Sequence, residues 1–367
     1  MPNPPTYACQ RVIIQHVSPN FRYLLASRIP SVRAIHENVP LKIKTLTFKE
    51  ASFHVDGLEH EFQKCLYPVR APVQFDFDEN GVEEFVMEQG DVQLLDSVTK
   101  SFVDSINNTE QRVPRGVPAT LQYSLNRSSR YFHLDSVYKL YPEGYKLRDA
   151  IRLHLRNFMS VETIVGYLVI DEISGVLRFP LGQKFHVQKL ELRNPSLKSI
   201  LGIIKPSSYP LNNLYFSTLC LKKLDVLNVD SGLTDTLTIV VNDDVFREKS
   251  FAEEYLKTGH KNVRVVREFA PQAELNAVAS LLTARPKEIG TKLEFETEKV
   301  QEKLRLIQEH TRASTNLNLL KSCSHSPHCV TVQLNTTTQL NICGLTVPSG
   351  KELLIFEFTK LGLVRET

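Results

Sequence analysis

The sequence predicts an α/β protein whose second half is a leucine-rich-repeat-like parallel sheet with helices on one face, followed by C-terminal antiparallel strands. Two observations carry this. A strand-like segment recurs through Val187–Leu192, Asn213–Phe216, Leu237–Val241 and Val263–Val266, with Lys292–Phe295 after them. With Leu190, Leu214, Ile239 and Val263 taken as equivalent, the steps are 24, 25 and 24 residues. A near-constant period in this range marks stacked units that cannot bury their apolar faces singly. Helix-like stretches stand between the segments, and strand–helix alternation at these lengths implies right-handed crossovers and a parallel sheet. A plain α/β domain with the generic spacing of βα units is the alternative.

In chain order, Tyr7–Phe48 reads as a short helical region and then a strand. Asp56-Gly57 between extended runs is a type I′ hairpin signal. Residues 76–96 carry Asp76, Asp78, Glu79, Glu83, Glu84, Glu88, Asp91 and Asp96 with few regular apolar positions, which predicts a solvated loop. Thr120–Leu125 and Tyr131–Val137 read as strands, and Leu147, Ala150, Ile151, Leu155 and Phe158 define an amphipathic helix. Leu197, Ile200, Leu201 and Ile204 line a helical face that Ser196 caps and Pro206 ends. Ser250 and Glu253 have capping-box spacing ahead of a helix that Gly259 stops. Pro271 opens a helix with the stripe Leu275, Val278, Ala279 and Leu282, whereas Ser217–Asp235 lacks a clear helix. Val300, Leu304 and Ile307 mark a last helix, and strands at 330–335, 338–346 and 351–358 form a meander. The expected organisation is a helical segment at 1–38, an α+β region at 39–160, β/α repeats at 161–296, and a helix, polar linker and β meander at 297–367.

Composition narrows the function classes. With 42% hydrophobic residues in 367, the chain has ample material for a large core. A net charge of +3 supplies no strong field toward nucleic acid or acidic membranes. Met1–Gln10 is polar and proline-rich, with no apolar run of membrane-spanning length. Six scattered cysteines without an export signal predict reduced thiols and a cytoplasmic or nuclear setting. The sequons at Asn107, Asn126 and Asn335 then go unused.

Chemical motifs are sparse, and no cofactor is expected. Cys323, His325, His328 and Cys329 gather four metal-type donors, but Cys-x-His-x-x-His-Cys is too compact for easy tetrahedral closure, so a polar connector is expected. The chain has no phosphate-binding glycine loop, nucleophile elbow or His-Glu-x-x-His pair. His16, His36, His54, His133, His154 and His186 are spread singly and read as surface or satisfied histidines. Arg127, Arg130, Arg148, Arg152 and Arg156 read as a solvated face rather than an RNA site, since no aromatic platform accompanies them.

Arg28-Ile29-Pro30-Ser31-Val32-Arg33 followed by Val39-Pro40-Leu41-Lys42-Ile43 carries a family likeness. It resembles the opening of a large nematode-restricted family of uncharacterised proteins related to F-box and F-box-associated proteins, whose members show R-x-P-S-[LV]-R and then V-P-L-x-I. The likeness continues at Val176–Gly182, Lys189–Leu192 and Tyr209–Leu214, and weakly at Arg285–Thr291. The family's tryptophan near the last element is absent, as the chain has none. The resemblance implies F-box-like helices that dock on the linker subunit of a cullin-type ubiquitin ligase, with the repeat surface binding a target protein. Candidate docking residues are Val12, Ile13, Val17, Phe21 and Leu24; together with Leu25, they form either that docking face or a local core against Ile43 and Leu46. The alternatives are a protein-binding scaffold whose helices only cap the repeats and, less favoured, an enzyme without a recognisable motif.

Overall fold

Three short helices open the chain, and proline spacing sets their limits. α1 (Tyr7–His16) starts behind Thr6, whose hydroxyl accepts from the Cys9 amide. α2 (Pro19–Arg28) and α3 (Pro30–Asn38) each carry proline in the first turn. Proline is tolerated there because its missing N–H would have no helical partner, and it drives the preceding residue out of the helical region. Ile29 is accordingly extended, with φ −121° and ψ 108°. Ile14, Ile35 and Val39 form a small buried cluster, with Leu25 and Val32 packed against it.

The computed structural model describes residues 6–49, 51–66, 72–73, 75–77, 86–94, 119–127, 137–142, 144–171, 176–193, 197–218, 230–241, 259–267, 270–314, 320–321 and 329–361. The chain divides into two compact units, Met1–Ser208 and Tyr209–Thr367. The first contains β1 (Leu41–Phe48), β2 (Ser52–Val55), β3 (Leu58–Leu66), β4 (Pro72–Val73), β5 (Val92–Gln93), β6 (Ala119–Arg127), β7 (Val137–Leu140), α4 (Leu147–Phe158), β8 (Thr163–Ile170), β9 (Val176–Leu177) and β10 (Phe185–Arg193). Its sheet order is β10-β8-β1-β2-β3-β6-β7, with β4 on β3, and β5 pairs separately with β9. β10, β8 and β1 are parallel, while β1, β2, β3, β6 and β7 follow one another antiparallel. Asp56 and Gly57 take φ of +48° and +86° in the expected β2–β3 turn. Residues 49–162 are thus an excursion between two strands that lie side by side.

Burial in the parallel strands does not follow simple alternation. Leu41, Ile43, Leu46 and Phe48 are buried in β1, Thr163, Val165, Leu168 and Ile170 in β8, and Phe185, Val187, Leu190 and Leu192 in β10. All three change phase at one level, where the pairing skips 44–166 and 166–188. Two residues fall between inward positions there in all three strands, and the register is the same on both sides. Gly166 sits at this level, and a Cβ on it would lie 3.0 Å from the Lys44 carbonyl oxygen. β8 has no counterpart among the expected strands.

In the second unit β11 (Asn213–Thr218), β12 (Leu237–Val241), β13 (Asn262–Arg267) and β14 (Lys292–Glu296) pair in chain order, all parallel. β15 (Leu320–Lys321), β16 (Cys329–Gln333), β17 (Thr338–Thr346) and β18 (Glu352–Lys360) are antiparallel, with β18 against β14. α5 (Gln272–Ala284) buries Leu275, Val278, Ala279 and Leu282, and α6 (Val300–Ser314) buries Val300, Leu304 and Ile307. The fold is therefore mixed α/β, with N-terminal helices, parallel strands and C-terminal antiparallel strands, as expected. No helix among the described residues is long and apolar enough to cross a membrane.

Several expectations are corrected. Leu214 pairs with Leu237 and Phe216 with Ile239, so Leu237 rather than Ile239 is the equivalent of Leu214. The helix expected over 197–204 is one α turn, Leu197–Ile200, and one 3₁₀ turn, Leu201–Ile203. The helix at 250–257 falls outside the described residues. Cys329 and Cys343, directly opposed on β16 and β17, form a disulfide, so the thiols are not all reduced. Of the acidic stretch, Asp78, Glu79, Glu83, Glu84 and Asp96 lie outside the described residues, and Asp76 and Asp91 are not solvated. Asp76 pairs with Lys64 at 2.6 Å and accepts from the Leu147 and Arg148 amides, capping α4 from outside that helix. Burial opposes ionisation of Asp76, yet the Lys64 and backbone bonds outweigh it and hold its pKa below the ordinary value.

Candidate functional site

α1 turns Gln10 and Ile14 inward, at i and i+4, and leaves Val12 and Ile13 toward solvent. Each of the latter is 56% exposed. On α2, Phe21, Leu24, Leu25 and Arg28 share one face at i, i+3, i+4 and i+7. Phe21 is 55% exposed, Leu24 is half-buried, and Leu25 packs on the Ile14 cluster. Of the five candidate docking residues, Val12, Ile13 and Phe21 are therefore open to solvent, and Val17 and Leu24 are half-buried. The local core falls instead to Ile14, Ile35 and Val39, with Leu25 the one member of the wider set that joins it. Arg11, Arg28 and Arg33 are also exposed on these helices, whose only carboxylate side chain is Glu37.

The opposite side of α2 is polar and buried. Arg22, 1% exposed, donates from Nε to His36 Nδ1 at 2.9 Å, from Nη1 to the Pro40 carbonyl at 2.8 Å, and from Nη2 to the His36 and Val39 carbonyls. It bridges α2 to the end of α3 and the approach to β1. Burial pulls its pKa down to about 10. Asn20 donates from Nδ2 to the Val55 carbonyl at 2.8 Å, which turns its Oδ1 toward His60 Nε2, also at 2.8 Å. His60 Nδ1 meets the Tyr123 hydroxyl at 3.0 Å and His154 Nε2 at 3.2 Å, and His154 Nδ1 meets the Tyr23 hydroxyl at 3.2 Å.

One assignment of protons satisfies this chain. Asn20 Oδ1 accepts from His60 Nε2–H, so the one lone pair of His60 Nδ1 is shared between the Tyr123 hydroxyl and His154 Nε2–H, and His154 Nδ1 accepts from Tyr23. Both rings are neutral. Burial, reinforced by neighbouring charge, holds His60 well below its usual range; burial and then Lys139 push His154 down to about 3. Burial raises Tyr23 to about 12 and drives Tyr123 up as well. Phe53 stacks on His60 at 4.5 Å between centroids. With His60 at 0% and His154 at 4% exposure, the cluster offers no surface to a substrate.

A cavity of about 410 Å³ lies elsewhere in the first unit, lined by Gly90–Gln93, Phe179, Pro180, Gly182–Lys184, Ser199, Gly202 and Ile203. Asp91 beneath it is bound by Arg152 and by Arg178 at 2.7 Å. Burial opposes its charge, and the arginines prevail. Arg148 and Arg152 also pair with Glu88. These two arginines are accordingly not the solvated face expected of them, whereas Arg156 is exposed.

In the second unit, residues between the inward positions of the parallel strands form cross-strand rows. Tyr215, Thr238, Arg264 and Glu294 make one row, and Ser217, Val240, Val266 and Glu296 the next. Arg264 pairs with Glu296 at 3.0 Å, Lys351 joins Glu296, and Lys292 pairs with Glu294. This face is polar and charge-balanced, while the other face holds Leu214, Phe216, Leu237, Ile239, Val263, Val265, Leu293 and Phe295.

Cys323, His325 and His328 lie outside the described residues, and the Cys329 sulfur is bonded to Cys343 rather than available to a metal. Among the described residues no group of three or more His, Cys, Asp or Glu side chains is arranged to hold a metal ion. His36 and His154, expected as satisfied histidines, are buried and bonded. What the sequence reading missed is that Asn20, Arg22 and Tyr23 lead to them. The available signal was a helix with polar residues at 20, 22 and 23, where an apolar stripe is normal.

Residues 155–299 match a family described as a domain of unknown function (DUF3557). That stretch runs from the end of α4 through β14 and leaves the N-terminal helices outside it. No curated protein and no solved structure matches the chain.

Proposed function

We propose that the chain is a non-enzymatic adaptor whose N-terminal helices dock on the linker subunit of a cullin-type ubiquitin ligase. The observation that carries this is the exposure of Val12, Ile13 and Phe21 on helices whose local core is filled by other residues. Val12 and Ile13 are adjacent on α1, and large apolar side chains left exposed on short helices suit an interaction surface. Exposed Arg11 and Arg28 accompany them, which suits a partner with an apolar groove and an acidic rim. The F-box-like motifs at Arg28–Arg33 and Val39–Ile43 point to the ligase linker in particular. Tyr215, Arg264 and Glu294 mark the proposed target-binding face, in keeping with how repeat sheets present side chains. A cytoplasmic or nuclear protein, free of nucleic acid and membrane, fits this role.

Titration of the purified linker subunit into the full chain tests the reading. Saturable binding is expected, with Phe21→Ala or Ile13→Ala weakening it at least tenfold while the circular dichroism spectrum stays unchanged. A second reading, in which the helices only cap the first unit, is favoured by the bonds of Arg22 to three carbonyls around the α3–β1 junction. Absence of binding, or binding indifferent to both substitutions, would select it.

A further inference from the structure

α2 carries Phe21 outward and three polar side chains inward, and each inward side chain ends on a different histidine. Asn20 meets His60 from β3, Arg22 meets His36 from α3, and Tyr23 meets His154 from α4. All three rings are neutral in this arrangement and buried beneath α2. His36 Nδ1 accepts from the Arg22 guanidinium, and His154 Nδ1 accepts from the Tyr23 hydroxyl. His60 Nδ1 already shares its lone pair between Tyr123 and His154. A proton added to His36 Nδ1 sets cation against cation, and one added to His60 Nδ1 sets a donor against His154 Nε2–H, whereas at His154 the Tyr23 hydroxyl can turn to accept and burial alone opposes the charge. We propose that the three tethers form an acid-sensitive latch, in which protonation of His36, His60 and His154 releases α2 from the sheet. The helix that bears the docking face would then be lost at low pH; this consequence rests on the docking reading.

The surroundings favour release over retention of the proton. Among the described residues, His36 faces Arg22 and the backbone of Asn157 and Phe158. His60 faces Asn20, Tyr23, Tyr123, His54 and His154, and His154 faces Tyr23, Tyr123, His60 and Lys139. These are cations, rings, hydroxyls and amides, with no carboxylate to hold an imidazolium in place. Burial and then Arg22 push His36 down to about 4, and the other two rings are depressed as already described. A histidine freed into water titrates near 6.5. The latched state is therefore fully favoured above about pH 6.5 and loses ground as pH falls, roughly tenfold per histidine per pH unit, until the latched pKa values are reached.

Amide hydrogen exchange on the full chain tests the latch without any partner, so its failure is separate from a failure of docking. From pH 7 to pH 5 the opening constant of the α2 amides, corrected for intrinsic exchange, should rise on the order of ten-thousandfold for three protons. The β8 amides should rise far less. In His36→Gln, which keeps an acceptor but does not titrate, the rise should shrink to several hundredfold, on the order of one proton fewer. His16→Gln on exposed α1 should match the wild type. A rise below tenfold sinks the proposal, as does an unchanged slope in His36→Gln or a parallel rise at β8. Should His36→Gln not fold, the wild-type slope decides: close to three protons for a latch, one or fewer against it.

Discussion

α2 and α5 are of similar length, ten and thirteen residues, yet they hold to their units by different means. α5 buries Leu275, Val278, Ala279 and Leu282, a stripe at helical spacing whose attachment is apolar and indifferent to direction. α2 buries Pro19, Asn20, Arg22 and Ala26, and its attachment is a set of directed hydrogen bonds. Apolar burial tolerates imprecision and degrades gradually. Buried polar tethers hold while every partner is present and in the right protonation state, and leave costly orphans otherwise. The difference shows how one chain can carry a permanently seated helix and a conditionally seated one.

The sharpest way to break this contrast is at Arg22. Arg22→Met keeps much of the side-chain volume but leaves the Pro40, His36 and Val39 carbonyls without their donor. At about 1–3 kcal/mol for each buried unsatisfied acceptor, the first unit should lose at least about 3 kcal/mol in urea denaturation. Arg22→Lys should recover only part of it, because an ammonium cannot reproduce the planar fork. A loss under about 1 kcal/mol would mean that water replaces the guanidinium and that the tether is dispensable.

Next in size is Leu275→Ala in α5, expected to cost about 2–5 kcal/mol, whereas Leu275→Met should cost less than about 1.5 kcal/mol. A similar penalty for both would show that α5 needs a specific shape, which would narrow its difference from α2. Smallest is Phe21→Ala. Its ring is mostly in water, so stability should change by no more than about 0.5 kcal/mol. A loss above about 2 kcal/mol in the isolated chain would place Phe21 in the core and remove the docking face.

The same contrast explains what could be read beforehand. Helices at 147–158, 272–284 and 300–314 were legible because each buries a regular apolar stripe, and the Asp56-Gly57 turn because its backbone demands positive φ. The pairing of β1 with β8 was not, since nothing local in Leu41–Phe48 names a partner beyond residue 160. The phase change at Lys44, Gly166 and Gln188 also hides the strands from a search for strict alternation. Strand residues two apart are equally apolar, so only hydrogen-bond register separates Leu237 from Ile239 as the equivalent of Leu214. As for the site, exposed Val12, Ile13 and Phe21 were visible as apolar residues, but their orientation was not. Asp76 and Asp91 looked like solvent-facing charge because their partners, Lys64, Arg152 and Arg178, are far away in sequence.

The excursion from residue 49 to 162 bears on the order in which the first unit assembles. β11, β12 and β13 each find their next neighbour soon after them along the chain, so the parallel strands of the second unit can zip progressively. β1 cannot: its parallel partner β8 comes only after the whole antiparallel wing and α4, and closing so long a loop yields no contacts until the ends meet. Until then β1 has only β2 for company, and one of its edges stays unpaired. An unpaired strand edge is a template for other chains. The first unit should accordingly be the slower to form and the more prone to aggregation while it does so.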